Sequence, residues 1–248
     1  MSAPLLHEHR RVWAAKPVLA RVYQPWFDLL LDLVPKNGSA LEVGAGPGFL
    51  AEYARARRPD LHLVAADILS APWNDLVADA LRLPVRGAAV SVVLGLDFVH
   101  HLARPAAFFE EAARVLAPGG CLAVVEPWVT PFSFPIYRWL HQEGCRPRLD
   151  PWDPFGVGEG PKEAFTGDAA VPWALVRRTS PRRWAELGLK PPRLRLLNGF
   201  AYLLSLGFKR GSLLPPRLAP AFQALDSGLR SAAPLLGLRA QVIWSKAT

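Results

Sequence analysis

Between Ala40 and Pro127 the chain alternates short apolar runs with amphipathic stretches, and few folds accept that pattern. The runs "ALEVG", "LHLVAAD", "DLVAD", "AVSVVLGL" and "GCLAVVEP" have the length and β-branched content of strands. "FLAEYARARR" and "RPAAFFEEAARVLAPGG" between them read as helices. The second has Pro105 in its first turn and Gly119 and Gly120 as its stop. Strands alternating with helices predict a parallel sheet covered on both faces.

The flanks extend this frame. Residues 5–34 predict amphipathic helix through Leu19, Val22, Tyr23, Trp26, Leu30 and Leu33, with Pro17 and Pro25 splitting it into pieces. Residues 128–181 carry many Pro, Trp and Gly and predict a loop-rich cap with a short helix around "PIYRWLHQ". "PRRWAEL" then predicts a helix, and "LRLLN" and "LRAQVIWSK" two strands. The apolar insertion 199–236 between those strands is too long for a hairpin loop and predicts helix. The expected organisation is one domain: N-terminal helices over 1–36, a ligand-binding core over 37–127, a cap over 128–181, and the C-terminal part of the sheet over 182–248.

Bulk properties narrow the class. No uncharged apolar run approaches the roughly 18 residues of a membrane-spanning helix, and the N-terminus does not read as a signal peptide. The two cysteines, Cys121 and Cys145, give no metal spacing and read as reduced thiols, so a cytoplasmic location and no metal site are expected. Charge is lopsided. Residues 1–170 hold 16 Lys/Arg against 19 Asp/Glu, whereas residues 171–248 hold 13 against 2. That basic third suits an anionic partner such as a phospholipid surface, nucleic acid or a phosphorylated substrate, or is simply a solvated surface.

The chemistry is concentrated in "LEVGAGPGFL". Gly44, Gly46 and Gly48 sit where a strand turns into a helix, so a ligand can approach bare backbone and free amides. A nicotinamide or flavin loop wants a third glycine where Phe49 stands. Glu42, at the strand's end, would repel a pyrophosphate and welcome an amino group. S-adenosylmethionine, with a cationic amine and sulfonium and no phosphate, fits such a loop better than NAD.

Taken in order, "LEVGAGPGFL", "VAADIL", "VADALRLPV", "VVLGLDFVHHL" and "FFEEAARVLAPGGCLAVVEP" resemble the class I S-adenosylmethionine-dependent methyltransferases over Ala40–Pro127. "EPWVTPFS" after the fifth strand is similar to one bacterial branch of that superfamily. The resemblance implies a Rossmann-like α/β fold with a mostly parallel seven-stranded sheet, an N-terminal helical extension and C-terminal cap insertions. It implies S-adenosylmethionine as cofactor and S-adenosylhomocysteine as product. Gly44, Ala45, Gly46 and Gly48 would line the methionine portion, with Glu42 toward its amine. Asp67, followed by Ile68, would meet the ribose; Asp79 and Ala80 the adenine; Gly95 and Leu96 would floor the sulfonium. Two positions depart from the family: only twelve residues separate Asp67 from Asp79, where a helix usually fits, and Ser91 replaces an Asp at the start of the fourth strand.

Methyl transfer mainly needs alignment and exclusion of water, with a base only where the acceptor must lose a proton. His100 and Glu126 are the candidate catalytic residues, at the ends of the fourth and fifth strands, each with a structural alternative; His101 is the second member of a pair. His7 and His9 read as surface residues on a helix that lids the cofactor in this superfamily. Trp128, Trp139, Trp152 and Trp173 read as lining an acceptor pocket in the cap, ahead of the alternative that they form the cap's own core. The leading expectation is methylation of a small-molecule or lipid- or saccharide-linked acceptor, with an anionic membrane surface as a further partner. RNA methylation ranks behind it, because no compact basic run with interleaved aromatics and no RNA-binding module is present. A cofactor-binding scaffold without catalysis is the third expectation.

Overall fold

A computed structural model describes residues 3–141, 143–154, 156 and 167–248. The cap's segment 157–166 lies outside the described residues. The seven expected strands form one sheet: β1 (Ser39–Val43), β2 (His62–Asp67), β3 (Leu76–Val77), β4 (Val90–Leu96), β5 (Leu116–Pro127), β6 (Arg193–Leu197) and β7 (Arg239–Ser245). Their order is β3-β2-β1-β4-β5-β7-β6. Neighbours from β3 to β5 are parallel, and β7 runs antiparallel to β5 and to β6. The chain reverses its direction of travel across the sheet between β1 and β4, the point where open α/β sheets leave a crevice at their carboxyl ends.

Side-chain alternation divides two cores. From β4 and β5, Val93, Leu122 and Val124 face one cluster, while Val92, Leu94, Ala123 and Val125 face the other. The first is closed by α4 (Pro105–Val115), α6 (Val171–Arg178) and α7 (Pro181–Glu186) through Phe108, Phe109, Leu175 and Trp184. The second is closed by α1 (Ala3–Ala15), α2 (Pro17–Leu31), α3 (Phe49–Arg57) and the insertion helices α8 (Phe200–Ser205) and α9 (Ala219–Gly228). The short turns α5 (Ser133–Pro135) and α10 (Ala233–Leu236) lie within the cap and just before β7, respectively.

Three features differ from the sequence expectation. Pro17 does break the N-terminal helix, but Pro25 does not, because α2 runs through it. Pro25 leaves the Arg21 carbonyl without its helical donor, and the Gln223 side-chain amide of α9 donates to it instead. Helix α4 stops at Val115, not at the glycines. Leu116 already pairs with Val90, and the register slips before Cys121 meets Val92, so Gly119 and Gly120 belong to an irregular strand start. A Cβ on Gly120 would lie 2.5 Å from the Ser91 carbonyl oxygen. Within the cap, α6 forms where loop was expected. Between β2 and β3 there is no helix, in keeping with the short spacing.

The four cap tryptophans have three different environments. Trp128 is fully buried in the core beneath the sheet's carboxyl edge and, with Trp173, borders a groove shared with Thr130, Phe134, Arg177 and Pro234. Trp152 packs edge-on against Trp184 in a stack that continues to Phe109 and Trp244. Trp139 is 71 % exposed. Trp128→Ala is therefore expected to cost about 3–5 kcal/mol of stability in urea unfolding, and Trp139→Ala no more than about 0.5 kcal/mol. Equal losses would contradict this division.

Candidate functional site

The glycine loop is built as its spacing requires. Gly44, Gly46 and Gly48 have φ of +65°, +51° and +78°, in the left-handed region open to glycine. The loop is tied to β2 by the Ala45 amide donating to the Ala66 carbonyl at 3.0 Å and closed by Gly48 N–H to the Ala45 carbonyl at 2.8 Å. Space is short at two of the glycines. A Cβ on Gly44 would collide with the Phe98 ring and one on Gly48 with Trp73, whereas Gly46 has nothing nearer than Leu6 at 3.8 Å.

The acidic residues surround this loop. Glu42 is 3 % exposed and its Oε2 is buried with no hydrogen-bond partner among the described residues. Burial raises its pKa to about 8, against the opposing pull of Arg55. Asp67 accepts the Gly46 amide on Oδ2 and the Leu69 amide on Oδ1, both at 2.8 Å, and burial raises its pKa as well. Ile68 beside it is 60 % exposed. Asp79 and Ala80 lie just beyond β3, where Asp79 is exposed and caps the Leu81 amide at 2.9 Å. Gly95 and Leu96 end β4, and the Phe98 ring lies against Gly95 as it does against Gly44. The structure thus brings Glu42, Ala45, Asp67, Ile68, Asp79, Gly95 and Leu96 to one edge of the sheet, at the carboxyl ends of four adjacent strands.

Helix α1 crosses this edge. Arg10 donates to the Pro47 carbonyl at 2.6 Å, pairs with Glu52 at 2.5 Å, and stacks 4.6 Å above the Trp73 ring. Trp73 donates its indole N–H to the Gly46 carbonyl at 2.7 Å, and His7 meets its ring edge-on at 5.0 Å. His7 is exposed, as expected; His9 is half-buried and stacks on Phe208 at 4.4 Å.

Beyond β4 the polar groups are ion-paired. Glu126, fully buried, accepts the Phe98 and Val99 amides at 2.9 and 2.7 Å and meets His100 Nδ1 at 2.6 Å. His100 Nε2 faces Glu143 Oε2 at 3.2 Å, and His101 Nε2 lies 3.7 Å from Glu143 Oε1. Burial alone would lower the His100 pKa, but Glu126 and Glu143 outweigh it and raise it to about 10. The two carboxylates thus favour the protonated imidazole over the neutral one while nothing else occupies Nε2. Nearby, the buried Arg239 guanidinium pairs with Asp97 and lies 4.5 Å from the Trp26 ring and 5.2 Å from Tyr202.

Sequence reasoning missed Glu143, Arg239, Asp97, Trp73 and Phe98 as members of this region. A signal existed for Glu143 in "HQEGC", where His141 stands two residues before the carboxylate; its Nδ1 lies 3.8 Å from Glu143 Oε2. Arg239 begins β7, which returns antiparallel and so delivers its first residue to the carboxyl edge of the parallel strands.

Known proteins resemble the chain in sequence and in fold. Residues 41–124 match a family described as a methyltransferase domain. An uncharacterised methyltransferase from Mycobacterium tuberculosis is 32% identical over 169 residues, covering 60% of this chain and 80% of that protein. A tRNA (carboxymethyluridine(34)-5-O)-methyltransferase from Macaca fascicularis is 24% identical over 169 residues; the match covers 63% of this chain and spans only 23% of that protein's length. A solved S-adenosylmethionine-dependent methyltransferase from Archaeoglobus fulgidus superposes with a TM-score of 0.52 at 15% identity, covering 95% of this chain and 94% of that one, which is a likeness of fold. On its sequence, its strand order and its glycine loop, the chain belongs to the class I S-adenosylmethionine-dependent methyltransferase family.

Proposed function

We propose that the chain transfers the methyl group of S-adenosylmethionine to a small-molecule or lipid- or saccharide-linked acceptor. The observation that carries the reading is Glu42, whose buried carboxylate oxygen Oε2 has no hydrogen-bond partner among the described residues and stands at the head of the glycine loop. An ammonium group supplies the partner that this oxygen lacks. When bound, the cofactor supplies a methyl group already activated by its sulfonium. The protein's own residues then hold and enclose it. Glu42 binds the amine, and the loop of Gly44, Ala45, Gly46 and Gly48 lets the methionine portion lie on backbone. Asp67 retains lone pairs for the ribose hydroxyls after accepting its two amides. Ile68, Asp79 and Ala80 form the adenine wall, and Gly95 and Leu96 the floor beneath the sulfonium. Helix α1, held by Arg10, excludes water from above. His100 stands on the acceptor side and Glu126 orients it.

A lipid-linked acceptor is favoured by the surface of the 199–236 insertion. Leu213, Leu218, Leu225 and Leu235 are 69, 43, 46 and 61 % exposed, and Arg210, Arg217 and Arg230 stand among them. Apolar side chains interleaved with arginines suit an anionic membrane interface. Leu214, next to Leu213, is buried and belongs to the core. No helix among the described residues is long and apolar enough to cross a membrane. A second reading, RNA methylation, draws on the same basic third and on the tRNA-modifying relative. Its mark would be RNA binding whose affinity falls steeply with salt.

Three outcomes are expected. Because Glu42 holds its proton up to about pH 8 and must lose it to pair with an ammonium, affinity for S-adenosylhomocysteine should rise by about tenfold per pH unit between pH 6 and 8. Calorimetry at several pH values measures this, and a flat profile would remove Glu42 from the amine site. Gly46→Arg should abolish that binding. Second, Glu42→Gln should weaken binding yet stabilise the ligand-free protein. The unfolded carboxyl ionises near its ordinary value of 4.5 and the folded one only near 8, so the native residue destabilises the fold increasingly as pH rises between them. The variant's gain, about 1–3 kcal/mol at pH 7 and close to nothing at pH 4.5, is read from paired denaturation curves. Third, the protein should co-sediment with phosphatidylglycerol vesicles and not with phosphatidylcholine ones, and Leu213→Asp should reduce the bound fraction severalfold. Indifference to lipid charge would argue for a soluble acceptor.

A further inference from the structure

We propose that His100, His101 and Glu143 bind one divalent transition-metal ion at the junction of the sheet edge and the cap. Among the described residues, these three offer donor atoms that all lie within 4.8 Å of one another. His100 Nε2 is 3.2 Å from Glu143 Oε2, and His101 Nε2 is 3.7 Å from Glu143 Oε1. Ligands held about 2.0–2.2 Å from a shared ion stand roughly 3–3.5 Å apart, so small side-chain adjustments bring all three onto one centre.

The surroundings are those of a built site. The two histidines come from the single helical turn Val99–His101, which Glu126 pins by accepting the Phe98 and Val99 amides. Glu126 also takes His100 Nδ1, an arrangement that turns Nε2 toward the cluster and increases its basicity as a ligand. Glu143 is delivered from the cap, where the Gly144 amide donates to the Gly167 carbonyl at 3.3 Å and the Ala169 amide to the Gly144 carbonyl at 2.8 Å. Gly167 closes the wall. A Cβ there would lie 2.8 Å from His100 Cδ2, 3.0 Å from His101 Nδ1 and 3.1 Å from Glu143 Cδ. Any side chain at that position would occupy the cradle.

Two imidazoles and a carboxylate select zinc, cobalt, iron or manganese over calcium or magnesium. Three protein ligands leave a coordination position open, as in zinc sites that act on a bound oxygen. An acceptor hydroxyl or carboxylate is the chemistry that position would take. That use rests on the methyl-transfer reading; the binding of the ion does not.

Cobalt(II) is the probe, because its visible absorption reports coordination directly. The full chain, stripped with a chelator, should take up one equivalent of Co2+ with the absorption of a four- or five-coordinate nitrogen–oxygen site, displaced by Zn2+. His101→Ala and Glu143→Gln should each weaken binding by at least about a hundredfold, and Glu126→Gln, which of the three ligands touches only His100, by about ten- to a hundredfold. His7→Ala should leave it unchanged. Unaltered S-adenosylhomocysteine affinity and circular dichroism in His101→Ala and Glu143→Gln establish that these two are folded, and circular dichroism alone checks Glu126→Gln. The native spectrum stands as a test by itself: octahedral aquo-like absorption alone overturns the proposal. So does cobalt binding that survives both His101→Ala and Glu143→Gln. Loss of S-adenosylhomocysteine binding with an intact cobalt site would sink the cofactor reading and leave the metal site standing.

Discussion

A carboxylate with no access to water sets the geometry of the sheet's carboxyl edge. Glu126 accepts two consecutive backbone amides and an imidazole nitrogen, and those three bonds hold the turn that follows β4. Removing one partner of such a buried pair costs about 3–5 kcal/mol, since the others are left without a counter-charge or acceptor. The same turn places Phe98 against Gly44 and Gly95, joining the ends of β1 and β4. It also aims the histidine pair at the cap. One residue therefore couples the wall of the glycine loop to the polar cluster beside it.

The missing helix between β2 and β3 is replaced by side chains. Asp75 accepts the Ala65 amide at 2.8 Å and binds Arg55 of α3 through both carboxylate oxygens, so the short link is stapled to the sheet and to the neighbouring helix. Trp73 reaches the Gly46 carbonyl and supports Arg10 and His7 of α1. The link between the two strands thus carries the contacts by which the N-terminal helix covers the edge. Trp13 adds to the closure by stacking on Phe49, the first residue of α3, at 4.0 Å.

Local pattern makes the strands and the glycine loop legible in the sequence. Alternation along β4 and β5 is a property of the sequence itself, and the left-handed glycines follow from the turn they must make. Features that depend on distant partners are not legible there. Pro25 reads as a breaker until the Gln223 amide is known to replace the lost donor. Gly119 and Gly120 read as a helix stop until Ser91 is seen crowding Gly120 across the sheet. The cluster of His100, Glu126 and Glu143 draws on three segments; His100 and Glu126 are legible as strand-end residues, whereas Glu143 arrives from the distant cap. Asp97 and Arg239 are 142 residues apart in the chain, and no local signal joins them.

The two rims of the sheet differ from its interior in a way that bears on assembly. One rim is β3, only two residues long; the other is β6, whose Arg193 and Arg195 are exposed to solvent. A brief rim offers too few free amides to template another strand, and an arginine-studded one repels its own copy. Neither rim invites a second chain to extend the sheet. Contacts between copies would have to form through helical faces, and a chain caught part-way through folding is guarded against the stacking that leads to fibres.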